Sequence, residues 1–197
     1  EKLRRSGVLD EMQAVTKKVL AAAEVKGSQL SDAAFEWTGE AVAQRLEELL
    51  IHQNSLEDPD DCQRHHTMRI AAKRLRYTME IAKPAYRGRL DEMIDAAKKV
   101  QSLLGDIHDC DVWVEQLSRF AEAERDRLQA CFRSDGRMAH LQPGLDYLER
   151  ERREHRRQIF AELVDYWEQL QRQGLWERLR EVVKTRPTEA AAATEPR

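Results

Sequence analysis

The sequence predicts an all-α fold, an antiparallel helical bundle with a basic central groove or pore. Apolar residues recur at helical spacing through nearly the whole chain, and no segment shows the alternation of a strand. The 197 residues include only 8 Gly and 5 Pro, while 35% are charged and 6% are aromatic. Few helix breakers and many charges are typical of amphipathic helices. Six or so helices with short connections predict a bundle, and α/β folds have no support.

Periodicity and turn chemistry define the first two predicted helices. One covers about Val8 to Glu24, and Gly27 with Ser28 ends it. The second is marked by one largely apolar face, made of Phe35, Gly39, Val42, Leu46, Leu49 and Leu50. The acidic segment from Asn54 to Asp61 is rich in turn-forming residues, so it predicts a loop.

The third predicted helix carries the most unusual charge pattern of the chain. Between Cys62 and Met79 there are five Lys or Arg, two His and no acidic residue, in a chain of net charge −3. Because a helix turns about 100° per residue, four of these side chains share a sector about 80° wide. We call this set the basic stripe: His66, Arg69, Lys73 and Arg76. Like charges at this spacing repel each other, which indicates an anion opposite them.

Apolar residues flank the basic stripe on both sides. One set is Ile70, Tyr77 and Ile81, and the other is Met68, Leu75, Met79 and Ala82. A helix that is apolar on two sides is expected to lie between neighbours, so the stripe should face a groove. The alternative is an ordinary solvated basic face. The helix is expected to end before Pro84, because proline disfavours helix at the preceding residue.

The next segment predicts two helices in succession. The first starts near Leu90 and runs through residue 112, with a bend allowed at Gly105. The second continues to about Phe132, and a loop follows at residues 134–136.

The last segment predicts a long helix, a short helix and a tail. The long helix covers about Leu145 to Leu170, directly after Pro143 and Gly144. Gly174 precedes the short closing helix. Residues 185–197 are expected to form a disordered tail, which leaves residues 1–184 as one helical domain.

Polar residues interrupt two of the apolar seams. Gln101 and His108 lie on the seam that includes Val100 and Leu104, with Asp111 close to it. In the last long helix the stripe reads Leu145, Leu148, Arg152, His155, Ile159, Leu163, Tyr166 and Leu170, with Arg156 beside it. A buried Arg is costly unless it is paired or the site is wet. A shared basic channel explains these side chains together: His66, Arg69, Lys73, Arg76, His108, Arg152 and His155.

Such a channel suits a phosphate polyanion. Guanidinium groups fork onto phosphate oxygens, and lysine adds point charge. The net charge of −3 argues against a general nucleic-acid coat, and base-stacking aromatics are scarce, so sequence-specific nucleic acid is not expected. No stretch is apolar enough to span a membrane. Three cysteines without CxxC spacing predict reduced thiols and a cytoplasmic protein.

Two segments resemble the CHAD family, the conserved histidine α-helical domain. The first is His66-x-x-Arg69-Ile70-x-x-Lys73-Arg74-Leu75-Arg76-Tyr77, and the second is Val100-Gln101-x-Leu103-Leu104-Gly105-x-x-His108-Asp109-x-Asp111-Val112. The resemblance implies two similar helical halves around a basic pore that binds inorganic polyphosphate, with no catalytic activity and no cofactor. It also allows association with polyphosphate granules.

Carried over position by position, the resemblance implies a binding set. His66, Arg69, Lys73, Arg74 and Arg76 match the first motif, with Lys73 in place of the commoner Arg. Lys98, Gln101, His108 and Asp109 match the second. Together with the cations of the last long helix, the predicted polyphosphate-binding residues are His66, Arg69, Lys73, Arg74, Arg76, Lys98, His108, Arg152, His155 and Arg156.

One departure from the family pattern concerns the number of motifs. A whole domain of this family carries two copies of the His-x-x-Arg motif, and this chain carries one. We therefore expect either that the opening helices of a first half are missing or that the chain pairs with a second copy as a homodimer.

Two other function classes remain open. His66, His108 and Asp109 resemble part of the ligand set of helical metal-dependent phosphohydrolases, although the cations beside His66 would repel a divalent metal. A helical protein-interaction module is the other alternative. In that reading the polar seam residues are interhelical ion pairs, with Asp109 or Asp111 as the anionic partner.

Overall fold

The computed structural model describes residues 32–132 and 138–186. These residues are almost entirely helical and contain no strand, which confirms the all-α bundle. The helices are α1 (Asp32–Leu50), α2 (Cys62–Tyr86), α3 (Asp91–Phe132), α4 (Met138–Arg172) and α5 (Leu175–Lys184), with a 3-10 turn at Gln53–Glu57. The chain divides into two compact units after Phe35, and everything below concerns the second.

Helix α3 is the central element of the bundle. It packs along α2 on one side and along α4 on another. The expected seam of α3 is confirmed, since its apolar residues before residue 105 are buried: Met93, Ile94, Ala97, Val100 and Leu104. The apolar face of α1 is confirmed by the burial of Val42, Leu46 and Leu49. Each fully buried Leu or Val stabilises the fold by about 2 kcal/mol.

Helix α2 does not end before Pro84, as the sequence predicts, but continues to Tyr86. Proline lacks an N–H and so removes one hydrogen bond of the last turn. Tyr86 is fully buried, and its hydroxyl donates to the Val183 carbonyl at 3.3 Å. This packing holds the last turn, and the chain reverses just beyond it at Arg87, where φ is 48°.

The two helices predicted between residues 90 and 132 are one helix of 42 residues. Gly105 does not interrupt it. Helix α4 also begins earlier than predicted, at Met138, and contains Pro143 within its second turn. Met138 is buried, so tertiary packing stabilises the turn that precedes the proline.

The buried face of α4 differs from the predicted one. Arg156 and Trp167 are buried, whereas His155 is exposed and Tyr166 is half-buried. Both sets of residues share one face of a helix with 3.6 residues per turn, and the two faces differ by about 50° on the helical wheel. Packing against α3 sets this rotation, which the spacing of apolar residues leaves open.

One flank of α2 is also more exposed than predicted. Met68, Leu75, Met79 and Ala82 are buried, as expected. On the other flank, within the described part of the chain, Ile81 is 76% exposed and Tyr77 is 43% exposed. The described residues therefore cover one flank of α2 and leave the other flank exposed.

Three predictions fall outside the described residues: the helix at about Val8 to Glu24, the loop at residues 134–136, and most of the tail after residue 186. The predicted loop after α1 contains the 3-10 turn and ends at Asp61, and the closing helix after Gly174 is confirmed. None of the described helices is long and apolar enough to cross a membrane.

Candidate functional site

The basic stripe lies on a helix whose start is well defined. Asp61 caps α2, because its carboxylate accepts a hydrogen bond from the backbone N–H of Arg64 at 3.0 Å. The buried apolar face then fixes the rotation of α2 about its axis. The sector beside this face carries the stripe, and its residues His66 and Arg69 lie against α3.

The two sequence motifs meet at the interface of α2 and α3. The rings of His66 and His108 have their centroids 4.5 Å apart and are tilted by 47°. Arg69 lies over Gly105, where a Cβ atom would be 3.7 Å from the Arg69 Nε. Three residues forward on α2 thus correspond to three residues backward on α3, so the two helices are antiparallel and in register.

If this register continues by the same spacing, Lys73 is expected level with Gln101, and Arg76 level with Lys98. Lys73 and Lys98 are exposed, whereas the Arg76 side chain is only 16% exposed. The structure thus places His66 and Arg69 of the basic stripe against His108 and Gly105 of α3.

Three buried polar atoms of α2 and α3 have no hydrogen-bond partner among the described residues. They are Nδ1 of His66, Nε of Arg76 and Oε1 of Gln101. Buried polar atoms normally have a partner, because an unpaired one loses its hydrogen bond to water without replacement. These atoms therefore have hydrogen-bonding capacity that the described residues do not use.

The charge of the basic stripe is largely uncompensated by the described residues. Among these residues, no carboxylate lies within 4.0 Å of the cationic nitrogens of Arg69, Lys73 or Lys98. Arg76 has Glu80 at 3.5 Å. Elsewhere on the surface, arginines have carboxylate partners at closer range: Arg45, Arg119, Arg127, Arg153, Arg157, Arg178 and Arg180.

Tyr77 contacts two cations of the stripe, which sequence reasoning did not foresee. The Arg76 Cζ lies 4.4 Å from the centroid of the Tyr77 ring, and the Lys73 Nζ lies 5.8 Å from it. The only sequence signal was the position of Tyr77 at the edge of the basic sector.

Arg74 lies on a different side of α2 from the stripe. It is exposed and close enough to Glu48 of α1 for its charge to help lower the pKa of that carboxyl, an effect that comes first from the Arg45 hydrogen bond. Arg74 lies about 80° away from His66 on the helical wheel. Its charge therefore acts on Glu48 of α1.

Arg156 of α4 is buried in a cluster of its own. Its Nε donates to Oδ1 of Asp111 at 2.6 Å, and it also donates to the Pro59 carbonyl and to the Cys62 Sγ. Burial alone would lower the pKa of Arg156, but the hydrogen bond and charge of Asp111 raise it, so the guanidinium stays charged. Of the two predicted anionic partners, Asp111 forms the ion pair, whereas Asp109 is exposed.

His65 completes the cluster around Arg156. Its Nε2 donates to the Ser55 carbonyl at 2.9 Å, which leaves Nδ1 as an acceptor for Arg156 at 3.4 Å. His65 is 1% exposed and packs on Phe160, with ring centroids 5.1 Å apart. The cluster therefore joins α2, α3 and α4 and buries Arg156, each of whose three guanidinium nitrogens has a partner within the protein.

Burial raises the pKa of Cys110 on α3, and the charge of the half-buried Arg152 opposes this rise, whereas His155 is exposed. Arg152 pairs with Glu151 at 2.8 Å, and His155 is exposed beside Tyr147, Arg150 and Glu154. Neither has a described contact with the basic stripe. The structure thus brings together the predicted residues of α2 and α3 but not those of α4.

No metal centre is present in the described part of the chain. No three His, Cys, Asp or Glu side chains in residues 32–132 and 138–186 are grouped so that they could hold a metal ion. His66 and His108 are neighbours, but the next member of the stripe is Arg69, whose positive charge would repel a divalent metal.

Comparison with known families gives one result. The family model described as CHAD domain matches residues 1–118, a range that includes both motifs, α1, α2 and most of α3. No curated protein and no solved structure matches the chain.

Proposed function

The chain belongs to the CHAD domain family, and from this membership we propose that it binds inorganic polyphosphate along the basic stripe without chemical turnover. The observation that supports the proposal is the contact of His66 with His108, through which the two sequence motifs meet. The proposed binding set is His66, Arg69, Lys73, Arg76, Lys98 and His108.

Charge supports a phosphate ligand over a neutral one. Arg69, Lys73 and Lys98 have no carboxylate within ion-pair distance among the described residues, so a phosphate chain can occupy their free donors. Arg69 and Arg76 can fork onto two oxygens each, whereas Lys73 and Lys98 act as point charges. Unpaired donors are what a polyanion needs, because no internal ion pair must break first.

The shape of the stripe supports a long ligand. Ten residues separate His66 from Arg76, and a helix rises about 1.5 Å per residue, so the stripe is about 15 Å long. A single orthophosphate can reach one or two of its members, whereas a chain can contact all of them at once. Affinity is therefore expected to rise with chain length.

The absence of turnover is part of the proposal. Hydrolysis of a phosphoanhydride at neutral pH usually relies on a divalent metal, and the cations of the stripe would repel one beside His66. The interaction-module alternative is supported by one pair among the polar seam residues that the structure describes. Arg156 and Asp111 form the kind of interhelical ion pair that this alternative predicts.

Isothermal titration calorimetry tests the proposal with two probes, long-chain polyphosphate and orthophosphate. We expect polyphosphate to bind at least a hundredfold more tightly. Its affinity should fall steeply between 50 and 200 mM salt, because each phosphate contact releases counterions. Equal binding of the two probes, or binding that ignores salt, would overturn the proposal. Unchanged chain length after incubation, with and without Mg²⁺, is the expected result for the absence of turnover.

A further inference from the structure

Tyr77 lies at the edge of the basic stripe, where its ring is partly exposed and contacts two cations. The ring is 43% exposed, and its neighbour on the same flank, Ile81, is 76% exposed. Core packing therefore does not explain the aromatic residue here. An exposed aromatic ring with two cations close to its face requires another explanation.

The two cations sit at distances at which an aromatic ring attracts positive charge. The Arg76 Cζ is 4.4 Å from the ring centroid and the Lys73 Nζ is 5.8 Å away, both within the range of about 6 Å for a cation–π contact. Lys73 is one helical turn before Tyr77, and Arg76 directly precedes it. One ring therefore contacts cations from two successive turns of α2.

Arg76 is held from two directions. The Tyr77 ring contacts its guanidinium, and Glu80 lies 3.5 Å from its Nε. The side chain is only 16% exposed, and Nε makes no hydrogen bond to the described residues. Lys73 is exposed and has only the ring as a partner among these residues. The Tyr77 ring is therefore a contact that Lys73 and Arg76 share.

We propose that Tyr77 is a positioning residue of the site: its ring holds Lys73 and Arg76 side by side so that both meet the same phosphate chain. This inference rests on the proposed function. Free Lys and Arg side chains occupy many rotamers, and a ligand must restrict them on binding. A ring that restricts them in the free protein reduces that cost and also keeps two like charges close together.

Binding measurements on three variants of the full chain test this role. Tyr77→Leu removes the ring face, Tyr77→Phe retains it, and Ile81→Ala is the matched control on the same exposed flank. We expect Tyr77→Leu to bind long-chain polyphosphate about three- to tenfold more weakly, given the usual strength of two exposed cation–π contacts. Tyr77→Phe and Ile81→Ala should stay within about twofold of the wild-type chain.

The salt dependence of binding separates positioning from loss of charge. Tyr77→Leu keeps every cation, so the slope of log affinity against log salt should equal that of the wild-type chain. A positioning role is overturned if Tyr77→Leu binds as tightly as the wild type. It is also overturned if Tyr77→Phe loses as much affinity as Tyr77→Leu, because the hydroxyl and not the ring face would then be responsible.

A measurement without ligand keeps the inference separate from the proposed function. The Arg76 Nε–H resonance should be shifted upfield by the ring current in the wild type and in Tyr77→Phe, but not in Tyr77→Leu. An unshifted resonance in the wild type overturns the inference whatever the chain binds. A wild-type chain that shows the shift but binds no polyphosphate overturns the proposed function, while the ring still holds Arg76.

Discussion

The imidazole rings of His66 and His108, 42 residues apart in the chain, lie 4.5 Å apart across the interface of α2 and α3. Neither motif forms a site alone, because each helix presents only one wall of the interface. The contact sets the register of the two helices and thereby decides which cations of α2 face which residues of α3. The first two predictions follow from this register.

Replacing Arg69 and Arg76 together by Ala should weaken polyphosphate binding by at least tenfold and flatten the salt dependence. Two forked phosphate contacts are lost, while Ala remains a good helix former. The matched control is Arg119→Ala with Arg127→Ala, which removes the same charge from α3 where each Arg already pairs with a Glu. Calorimetry should show a change of less than about threefold for the control. Equal losses in the two double variants would mean that only net charge matters.

Gly105 is predicted to leave space for Arg69. A Cβ atom there would be 3.7 Å from the Arg69 Nε, an ordinary contact, so Gly105→Ala should bind normally and gain up to about 1 kcal/mol of helix stability. Gly105→Leu should displace the guanidinium and lower affinity by about tenfold. Thermal unfolding and calorimetry on both variants provide the measurements. A leucine variant that stays folded and binds like the alanine variant would contradict this placement of Arg69.

Arg156 should matter for stability and not for binding. Arg156→Met leaves the partly buried Asp111 without its partner and should cost about 3 kcal/mol in urea unfolding. Arg157→Met, which removes the exposed neighbour that pairs with Glu154, should cost less than about 0.5 kcal/mol. Under conditions in which Arg156→Met is folded, its polyphosphate affinity should equal the wild-type value. A large loss of affinity would return Arg156 to the binding set.

Cys62 should react more slowly with an alkylating reagent than an ordinary exposed cysteine does. Burial, and next the charge of Asp111, raise the pKa of Cys62, so the thiolate fraction at a given pH is reduced. The pH midpoint for reaction with iodoacetamide should therefore lie above that of a free cysteine. Asp111→Asn removes the carboxylate charge and should move the midpoint to lower pH, as read by peptide-resolved mass spectrometry. The rate at Cys131, far along α3, serves as the control, and an unmoved Cys62 midpoint would contradict the prediction.

Two glycines should respond oppositely to alanine. A Cβ atom on Gly39 would lie 2.7 Å from the Val183 carbonyl oxygen, so Gly39→Ala must push α1 and α5 apart and should destabilise the chain by about 1–3 kcal/mol. A Cβ atom on Gly144 of α4 meets nothing within 4 Å. Gly144→Ala should instead stabilise the chain by up to about 1 kcal/mol. Chemical denaturation measures both, and a neutral Gly39→Ala would show that the two helices are not in close contact.

The sequence by itself determined the fold class, most helix positions and the α2 part of the site. Helical periodicity is a local property, so the apolar faces of α1 and α3 and the sector of His66, Arg69, Lys73 and Arg76 could be read from spacing alone. The family resemblance also rested on local motifs. The match to residues 1–118 confirms it.

Only the tertiary structure decided how far α2 and α4 extend and which cations share a site. The turn after Pro84 persists because Tyr86 is buried against α5, a contact between distant residues that outweighs a local preference. Arg156, and not His155, faces the core because packing against α3 sets the rotation of α4 about its axis, which residue spacing alone does not define. A local pattern shows that a helix has a charged face, but the register of its neighbour decides what that charge meets.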